Sequence, residues 1–302
     1  MMDRAPFDDI RNLIAGLEPE DRAAAAGGLD RLHLDTAAGA LGALEPVIGW
    51  IAGWRGSVVV RRPVIALYAG GHAGAGDAGA TRGQLEAIAA GTAPVSRAAQ
   101  HLGAGLDVFD LAIDRPVSDF RKGAAMSERE CAATMAFGME ALAKQPDLLI
   151  LGALGAGVDR SATALAHGLL GEDAPGDLAE AVVRARGEAA GDPLQLLRQL
   201  GGRETAAIGG AIIAAGSQRT PVLLDGLPAI AAAAVLHTVS PEAVAHCRVG
   251  QAGQDPVLAR MAHHIGLFPL FELRVMLGDG TGSTAALSLI KLACALAPAA
   301  KA

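Results

Sequence analysis

Short apolar runs alternate along this chain with stretches of helical periodicity. One run, at residues 64–69, ends in Gly70 and Gly71, as a buried parallel strand does. Strand-length runs separated by helices of ten or more residues are typical of βαβ units. The pattern predicts a Rossmann-like, doubly wound α/β fold with a parallel sheet covered on both faces. The predicted strands lie at 64–69, 106–113, 147–151, 221–224 and 245–249, and the helices between them include 127–144, 161–170, 204–215 and 228–237.

The two ends of the chain show helical periodicity without strands. Residues 7–17 and 41–54 carry apolar side chains at helical spacing, and residues 283–296 form a third such stretch. We expect these terminal helices to pack together as a small helical subdomain. The predicted division is 1–60 for its N-terminal helices, 61–282 for the α/β parallel-sheet domain and 283–302 for its C-terminal helix.

Composition and charge limit the kinds of partner this chain can have. Hydrophobic residues make up 51% of it but aromatic residues only 3%, so aliphatic side chains must fill the core. A net charge of -7 without a long basic run argues against nucleic-acid binding, which depends on phosphate neutralisation. A small anionic ligand remains compatible, because one or two arginines and a helix N-terminus suffice to bind it.

Neither a membrane segment nor a disulfide framework is expected. The first nine residues carry acids where a signal peptide needs an apolar core. The most apolar stretch, 221–237, is interrupted by Asp225, Gly226 and Pro228. The three cysteines are widely spaced and form no metal-binding pair, which fits a reducing compartment. We therefore expect a cytoplasmic protein.

The loop at 152–160 follows a predicted strand and opens a helix, which is where ligands bind in open α/β sheets. Its glycines, including Gly155 and Gly157, let backbone N–H groups approach an anion. The spacing is G-x-x-G-x-G, which is neither the dinucleotide fingerprint nor a Walker loop. A tight turn with Asp159 or Ser161 as the helix cap explains the same residues.

Two other glycine-rich loops are candidate sites. In residues 278–284, three glycines surround Asp279 and three hydroxyl side chains, which suits a phosphate or ribose cradle. A capped helix start is the alternative interpretation. Residues 70–74 contain His72, a possible base or hydrogen-bond donor, although a lone histidine in a glycine turn is more often structural.

Further motifs occur in a characteristic order. Residues 39–45 read Gly-Ala-Leu-Gly-Ala-Leu-Glu, residues 200–207 Leu-Gly-Gly-Arg-Glu-Thr-Ala-Ala and residues 221–226 Pro-Val-Leu-Leu-Asp-Gly. Residues 269–282 end in Leu-Gly-Asp-Gly-Thr-Gly. From about residue 29 to about residue 296, the chain resembles the nicotinate-nucleotide–dimethylbenzimidazole phosphoribosyltransferases, which have Leu-Gly-Glu-Gly-Thr-Gly at the last of these motifs.

The resemblance implies transfer of the phosphoribosyl group of nicotinate mononucleotide to 5,6-dimethylbenzimidazole or a related azole. The products would be nicotinate and α-ribazole phosphate, which enters the lower ligand of cobalamin. It also implies a homodimer that needs no metal and no cofactor, and the aliphatic helix face at 44–51 favours the same assembly. By resemblance, Asp279 is the general base that deprotonates the azole. The implied substrate-binding residues are Gln84, Met276 and Leu277 around the aromatic base, with Gly155, Gly157, Gly280, Thr281 and Gly282 around the phosphoribosyl group.

The chain departs from the family on the phosphate side. The family loop Gly-Glu-Met-Gly-Ile-Gly-Asn-Thr-Thr has Ala153 here in place of its glutamate and residues 158–160 in place of Asn-Thr-Thr. The next segment, which carries a Gly-Thr-Gly and a lysine in the family, is shortened to 172–191. Arg160 is the cation in the glycine loop, and we assign it to the substrate site.

Two functional classes stay open on this evidence. One is an active, divergent phosphoribosyltransferase, in which Arg160, Arg184 or Arg186 replaces the missing phosphate ligands. The other is a non-catalytic paralogue that binds an aromatic ligand or partners an active subunit. The retained loop around Asp279 favours the first, and the depleted loop at Ala153 favours the second.

Overall fold

A single parallel sheet runs through the computed structural model, which describes residues 5–34, 36–76 and 78–297. The strands are β1 (Pro63–Ala69), β2 (Gly105–Asp110), β3 (Leu148–Leu154), β4 (Val222–Leu224), β5 (Cys247–Gln251) and β6 (Pro269–Phe271). Their order in the sheet is β2-β1-β3-β4-β5-β6, and every neighbouring pair is parallel. The predicted parallel α/β fold is confirmed.

The strand boundaries differ from the predicted ones for local reasons. β2 ends at Asp110 rather than at 113, and Ala112 then adopts the left-handed region with φ of +61°. β5 begins at Cys247 rather than at 245, because the preceding residues form a 3₁₀ turn. β6 was not predicted: it has three partly exposed residues, and its pairing with β5 rather than its own sequence makes it a strand.

Helices surround the sheet in the pattern that the sequence indicates. They are α1 (Pro6–Ala15), α2 (Arg22–Leu32), α3 (Glu45–Arg55), α4 (Gly79–Ala89), α5 (Pro94–Leu102), α6 (Glu128–Gly138), α7 (Val158–Leu170), α8 (Ala179–Ala189), α9 (Pro193–Leu200), α10 (Arg203–Ser217), α11 (Gly226–Val239), α12 (Pro256–His264) and α13 (Thr281–Leu296). The helix predicted at 127–144 changes to a 3₁₀ turn after Gly138. At that glycine α6 packs directly on α10, and an added Cβ would overlap the backbone of Ala207.

Alternate side chains of each strand enter two separate cores, as expected for a sheet buried on both faces. In β1, Val64, Ala66 and Tyr68 pack with α6 to α12, whereas Ile65 and Leu67 pack with α2, α3, α5 and α13. The doubly wound arrangement follows from this alternation. Among the described residues, no helix is long and apolar enough to cross a membrane.

The terminal helices are divided between these two cores. α3 contacts α2 and α13, as expected for a cluster of N- and C-terminal helices. α1 instead contacts α6, and its residues Phe7, Ile10 and Ile14 belong to the opposite core. The aliphatic face that was expected to favour a dimer is instead buried within the chain at Val47, Ile48 and Ile51, so it does not support that assembly. The boundaries of a separate helical subdomain stay a prediction.

Candidate active site

The loops that follow β1 and β3 meet at one edge of the sheet. In the sheet, β2 lies on one side of β1 and β3 lies on the other, so the strand order reverses at β1. In open α/β sheets, ligands bind in the crevice at such a reversal of strand order, beyond the carboxyl ends of the strands. Residues 70–76 and 155–157 come together there, and the backbone N–H of His72 donates to the carbonyl oxygen of Ala156 at 3.1 Å.

Gly155 and Gly157 are required by the close approach of these loops. Gly155 has a φ of +136°, and an added Cβ would overlap the carbonyl oxygen of Gly70. Gly157 has a φ of +84°, and an added Cβ would lie 2.5 Å from the Cβ of Ala75. Gly157 also precedes α7, whose N-terminus carries the positive end of the helix dipole. The structure places both glycines in the crevice, and their contact with a phosphoribosyl group stays a prediction.

A buried ion pair lies beneath the loop that follows β1. The Nε2 atom of His72 is 3.0 Å from Oε1 of Glu204, and both side chains are almost fully buried. An added Cβ at Gly70 or Gly202 would overlap the carboxylate, so the two glycines make room for it. Burial alone raises the pKa of Glu204, but the His72 charge and hydrogen bonds outweigh it and hold the pKa below its ordinary value. The pair positions the loop, as expected if His72 has a structural role rather than that of a base.

A cavity of about 410 Å³ opens beside this loop, at the carboxyl end of β1. His72 and Thr81 are buried side chains in its lining, and the exposed ion pair of Arg82 with Asp114 also lines it. Gln84 lies exposed on α4, outside the lining of this cavity. Met276 and Leu277 line a different cavity, whose lining also does not include Gln84, so the contact of Gln84 with the aromatic base stays a prediction.

The loop that carries Asp279 leads directly into α13. Gly278 and Gly280 have φ values of +66° and +86°, which glycine adopts without strain. Oδ1 of Asp279 accepts a hydrogen bond from the Thr281 N–H at 3.0 Å, so this partly buried carboxylate caps the helix. An added Cβ at Gly152 of β3 would lie 2.9 Å from the Gly280 nitrogen, which shows how closely the loop packs on the sheet.

A buried carboxylate directly after β4 anchors the same loop through hydrogen bonds. Asp225 is 2% exposed, and its two oxygens accept the backbone N–H groups of Gly280 at 2.8 Å and of Ser283 at 2.7 Å. The Ser283 hydroxyl lies 2.8 Å from the same carboxylate. Burial raises the pKa of Asp225, these hydrogen bonds oppose the rise, and the nearby charge of Asp279 adds to it.

Met276 and Leu277 line a second cavity, of about 210 Å³, which also includes Gly226 and Gly278. Their side chains are 63% and 56% exposed. The segment is positioned by Gln251 at the end of β5, whose side-chain amide donates to and accepts from the backbone of Val275 at 2.9 and 3.0 Å. An apolar wall next to the Asp279 loop is thus present, as the base-binding prediction requires.

The three arginines considered as phosphate ligands lie in different environments. Arg160, in the first turn of α7, forms an ion pair with Asp177. Arg184 donates to the carbonyl oxygens of Phe120 and Arg121 and so braces that segment of backbone. Arg186 lines a separate cavity of about 240 Å³.

Sequence reasoning did not assign Asp225, Glu204 or Arg121 to the site. Asp225 and Glu204 stand in the quoted motifs. Asp225 directly follows an apolar strand, and Glu204 follows a glycine pair after one intervening residue, which are usable signals. Arg121 has no such signal in its surroundings. Across 5–34, 36–76 and 78–297, no group of three or more His, Cys, Asp or Glu residues is arranged to hold a metal ion.

The chain is similar in sequence and in fold to phosphoribosyltransferases. The family described as Phosphoribosyltransferase matches residues 15–177 and 177–301. A nicotinate-nucleotide–dimethylbenzimidazole phosphoribosyltransferase from Sinorhizobium sp is 41% identical over 315 residues, covering 96% of this chain and 93% of the relative. The Rhizobium johnstonii protein of that name is 40% identical over 316 residues, with the same coverage. The chain belongs to the phosphoribosyltransferase family. The predicted family is confirmed.

The fold of this phosphoribosyltransferase agrees with a solved relative. The crystal structure of the Thermus thermophilus nicotinate-nucleotide–dimethylbenzimidazole phosphoribosyltransferase superposes with a TM-score of 0.82 at 25% identity, covering 91% of this chain and 96% of that one. Ala153, which stands where the resemblance expects a glutamate, is a buried residue of β3 opposite Tyr68. The phosphoribosyltransferase therefore has no carboxylate at this position of β3.

Proposed function

We propose that this phosphoribosyltransferase transfers the phosphoribosyl group of nicotinate mononucleotide to 5,6-dimethylbenzimidazole or a related azole. The names of the relatives support this reaction. The observation that carries it is the Asp279 carboxylate, which is partly exposed and lies in a rigid glycine loop anchored by the buried Asp225. Loops of this kind, fixed by buried partners, hold a catalytic group in one geometry.

In the proposed reaction Asp279 accepts the proton from one nitrogen of the azole. The other nitrogen attacks C1′ of the ribose, and the bond between C1′ and the pyridine nitrogen breaks. The electrons of that bond return to the ring, so nicotinate leaves and α-ribazole phosphate forms. A carboxylate is a suitable base for this step because it is ionised at neutral pH.

The apolar wall beside the loop suits a flat aromatic substrate. Met276 and Leu277 expose more than half of their side chains on the segment that ends at Asp279. An azole stacked there would remove this apolar surface from water, which is favourable by about 25 cal/mol per Å² buried. The lining of that cavity ends at Gly278, the residue before Asp279, so an azole bound there would lie beside the loop that carries the proposed base.

Replacement of Asp279 by asparagine tests the proposal. We expect α-ribazole phosphate formation to be abolished, while the melting temperature changes little because the side chain still accepts from Thr281. The control is Asp21→Asn, because Asp21 is also a carboxylate at a helix start that accepts a backbone N–H group, that of Ala24 at 2.9 Å, on an exposed surface. Full activity of Asp279→Asn would show that the base is elsewhere. Azole binding without product in the wild-type protein would favour the non-catalytic paralogue.

We further propose that the enzyme is a homodimer in the cytoplasm. The assembly is supported by the family resemblance, and the compartment by Cys131, Cys247 and Cys294, all of which are free thiols. Light scattering at micromolar concentration will report twice 30.4 kDa if the assembly is a dimer. A mass of 30.4 kDa over the whole concentration range would refute the dimer.

A further inference from the structure

Two guanidinium groups converge on one carboxylate oxygen beside the loop that follows β3. Oδ2 of Asp177 pairs with Arg160 and lies 3.3 Å from Nη1 of Arg121. Arg160 is in the first turn of α7, and Asp177 is in the 3₁₀ turn Gly176–Leu178 that follows this helix. About a third of each arginine side chain is exposed, so solutes reach both cations.

Arg121 is held in place before any ligand arrives. Its Nε and Nη2 atoms donate to the two carboxylate oxygens of Asp119 at 2.8 and 2.9 Å. This hydrogen bonding holds the pKa of Asp119 below its ordinary value. Arg184 donates to the carbonyl oxygen of Arg121 at 3.0 Å and fixes its backbone. The remaining Nη1 is directed at Asp177, and a group fixed in this way loses little freedom when it binds an anion.

The arginines lie next to the crevice of the candidate active site. An added Cβ at Gly74, in the loop after β1, would lie 2.6 Å from Nη2 of Arg121. The N-terminus of α7, which carries Arg160, also favours negative charge. The start of α13 is different, because the carboxylates of Asp225 and Asp279 already accept its N–H groups. The first turn of α7 also carries Asp159, which lines the cavity of Met276 and Leu277. The attraction for a phosphate on this side therefore comes from Arg121 and Arg160.

We propose that Arg121 and Arg160 bind the phosphate monoester of the mononucleotide, and that Asp177 is an internal anion that competes for them. Carboxylates and phosphates accept the same hydrogen bonds from guanidinium groups. Asp177 lies in the shortened segment 172–191, where the family carries a Gly-Thr-Gly and a lysine. A phosphate monoester carries about -1.5 to -2 at pH 7, against -1 for a carboxylate, and so displaces it. The identity of the nucleotide rests on the proposed function, but the anion site does not.

Titration calorimetry with nicotinate mononucleotide, and separately with inorganic phosphate, tests this site. We expect Arg121→Ala and Arg160→Ala each to weaken the binding of both probes by about tenfold or more, because each removes a charge-assisted contact. Asp177→Asn should act in the opposite direction and tighten both by about threefold or more, because the competing anion is gone. The double variant Asp177→Asn/Arg160→Ala should lose that gain. Arg186→Ala, in a separate cavity, is the matched control and should leave both affinities unchanged.

The arginine variants and Asp177→Asn are expected to change the affinity for phosphate in opposite directions, so the measurement can contradict the proposal in two ways. If Asp177→Asn leaves both affinities unchanged or weakens them, Asp177 does not compete and the proposal is wrong. The proposal is equally wrong if both arginine variants bind phosphate as the wild type does. Thermal unfolding of each variant separates loss of a contact from loss of the fold. Phosphate binding that follows the predicted pattern in a protein that forms no product would uphold this site and overturn the proposed function.

Discussion

Replacing Asp225 by alanine removes the buried carboxylate that anchors the loop of Asp279, the proposed base. The Gly280 and Ser283 N–H groups would lose their acceptor while remaining buried. Each buried donor left without a partner costs about 1–3 kcal/mol, so two cost roughly 2–6 kcal/mol. At about 2.1 cal/mol/K per residue, a chain of 302 residues has an unfolding entropy near 0.6 kcal/mol/K, so the melting temperature should fall by roughly 3–9 °C.

Asp225→Asn should lower the free energy of unfolding by about half as much as Asp225→Ala. One acceptor oxygen remains, and one N–H group loses its partner, for about 1–3 kcal/mol. Burial raises the pKa of Asp225 above its ordinary 3.8, so the folded state binds the proton more tightly than the unfolded state. The contribution of Asp225 to stability is therefore largest below about pH 4 and declines as the pH rises through its folded-state pKa. Asp225→Asn should lack this decline.

The activity of the same variants separates positioning from folding. If Asp225 positions Asp279, a shift of the loop by about 1 Å can lower kcat by about 10²-fold, while the Kd for nicotinate mononucleotide changes little. Melting followed by circular dichroism, steady-state kinetics and calorimetry measure the three quantities. Asp21→Ala, which removes an exposed helix cap with a single bond to Ala24, is the control. An Asp225→Ala protein that melts within about 1 °C of the wild type and keeps its kcat would refute this reasoning.

Two further predictions concern the stability of the fold, at the buried His246 and at Gly155. Burial lowers the pKa of His246 to about 4, so its contribution to stability is complete above about pH 6.5 and is lost as the pH falls towards 4. Between pH 7 and pH 4.5 the free energy of unfolding in urea should fall by about 2 kcal/mol, and His246→Gln should reduce this loss. Equal losses in the two proteins would contradict the prediction. Gly155→Ala should cost about 3 kcal/mol or prevent folding, because its φ is +136° and the added Cβ overlaps Gly70. Gly191→Ala is the control, since Gly191 has a φ of +87° with open space around it, and should lower the free energy of unfolding by only about 1–2 kcal/mol. Equal losses in the two variants would show that the contact between Gly155 and Gly70 is not tight.

The strands that sequence reasoning found are those whose pattern is local. The run at 64–69 consists of buried apolar residues and ends in two glycines, so length and composition identify it. β6 has only three partly exposed residues, and its partner β5 lies about twenty positions earlier in the chain. No local pattern marks a strand whose formation depends on a neighbour. The position of α1 was missed for a related reason, because an amphipathic helix does not specify which of two apolar surfaces it covers.

The same limit applies to the site. The Asp279 loop was found because its glycines and its acid are adjacent in sequence. Asp225 reaches Ser283 over 58 positions, and His72 reaches Glu204 over 132. Pairs at such distances can be assigned only once the fold brings their elements together. Arg121 was missed because its partner Asp177 is 56 positions away and neither residue stands in a recognised motif.

The two helix N-termini beside the candidate site differ in the charges that the chain supplies to them. At α13 the chain supplies its own anions, since Asp225 accepts the N–H groups of Gly280 and Ser283 and Asp279 accepts that of Thr281 between them. A helix end neutralised in this way does not favour a phosphate. At α7 the first turn carries both Asp159 and Arg160, and Asp177 pairs with Arg160 from the turn that follows the helix. Under the two proposals, proton acceptance belongs to the α13 loop and phosphate binding to Arg121 and Arg160, and C1′ of the ribose would lie between them.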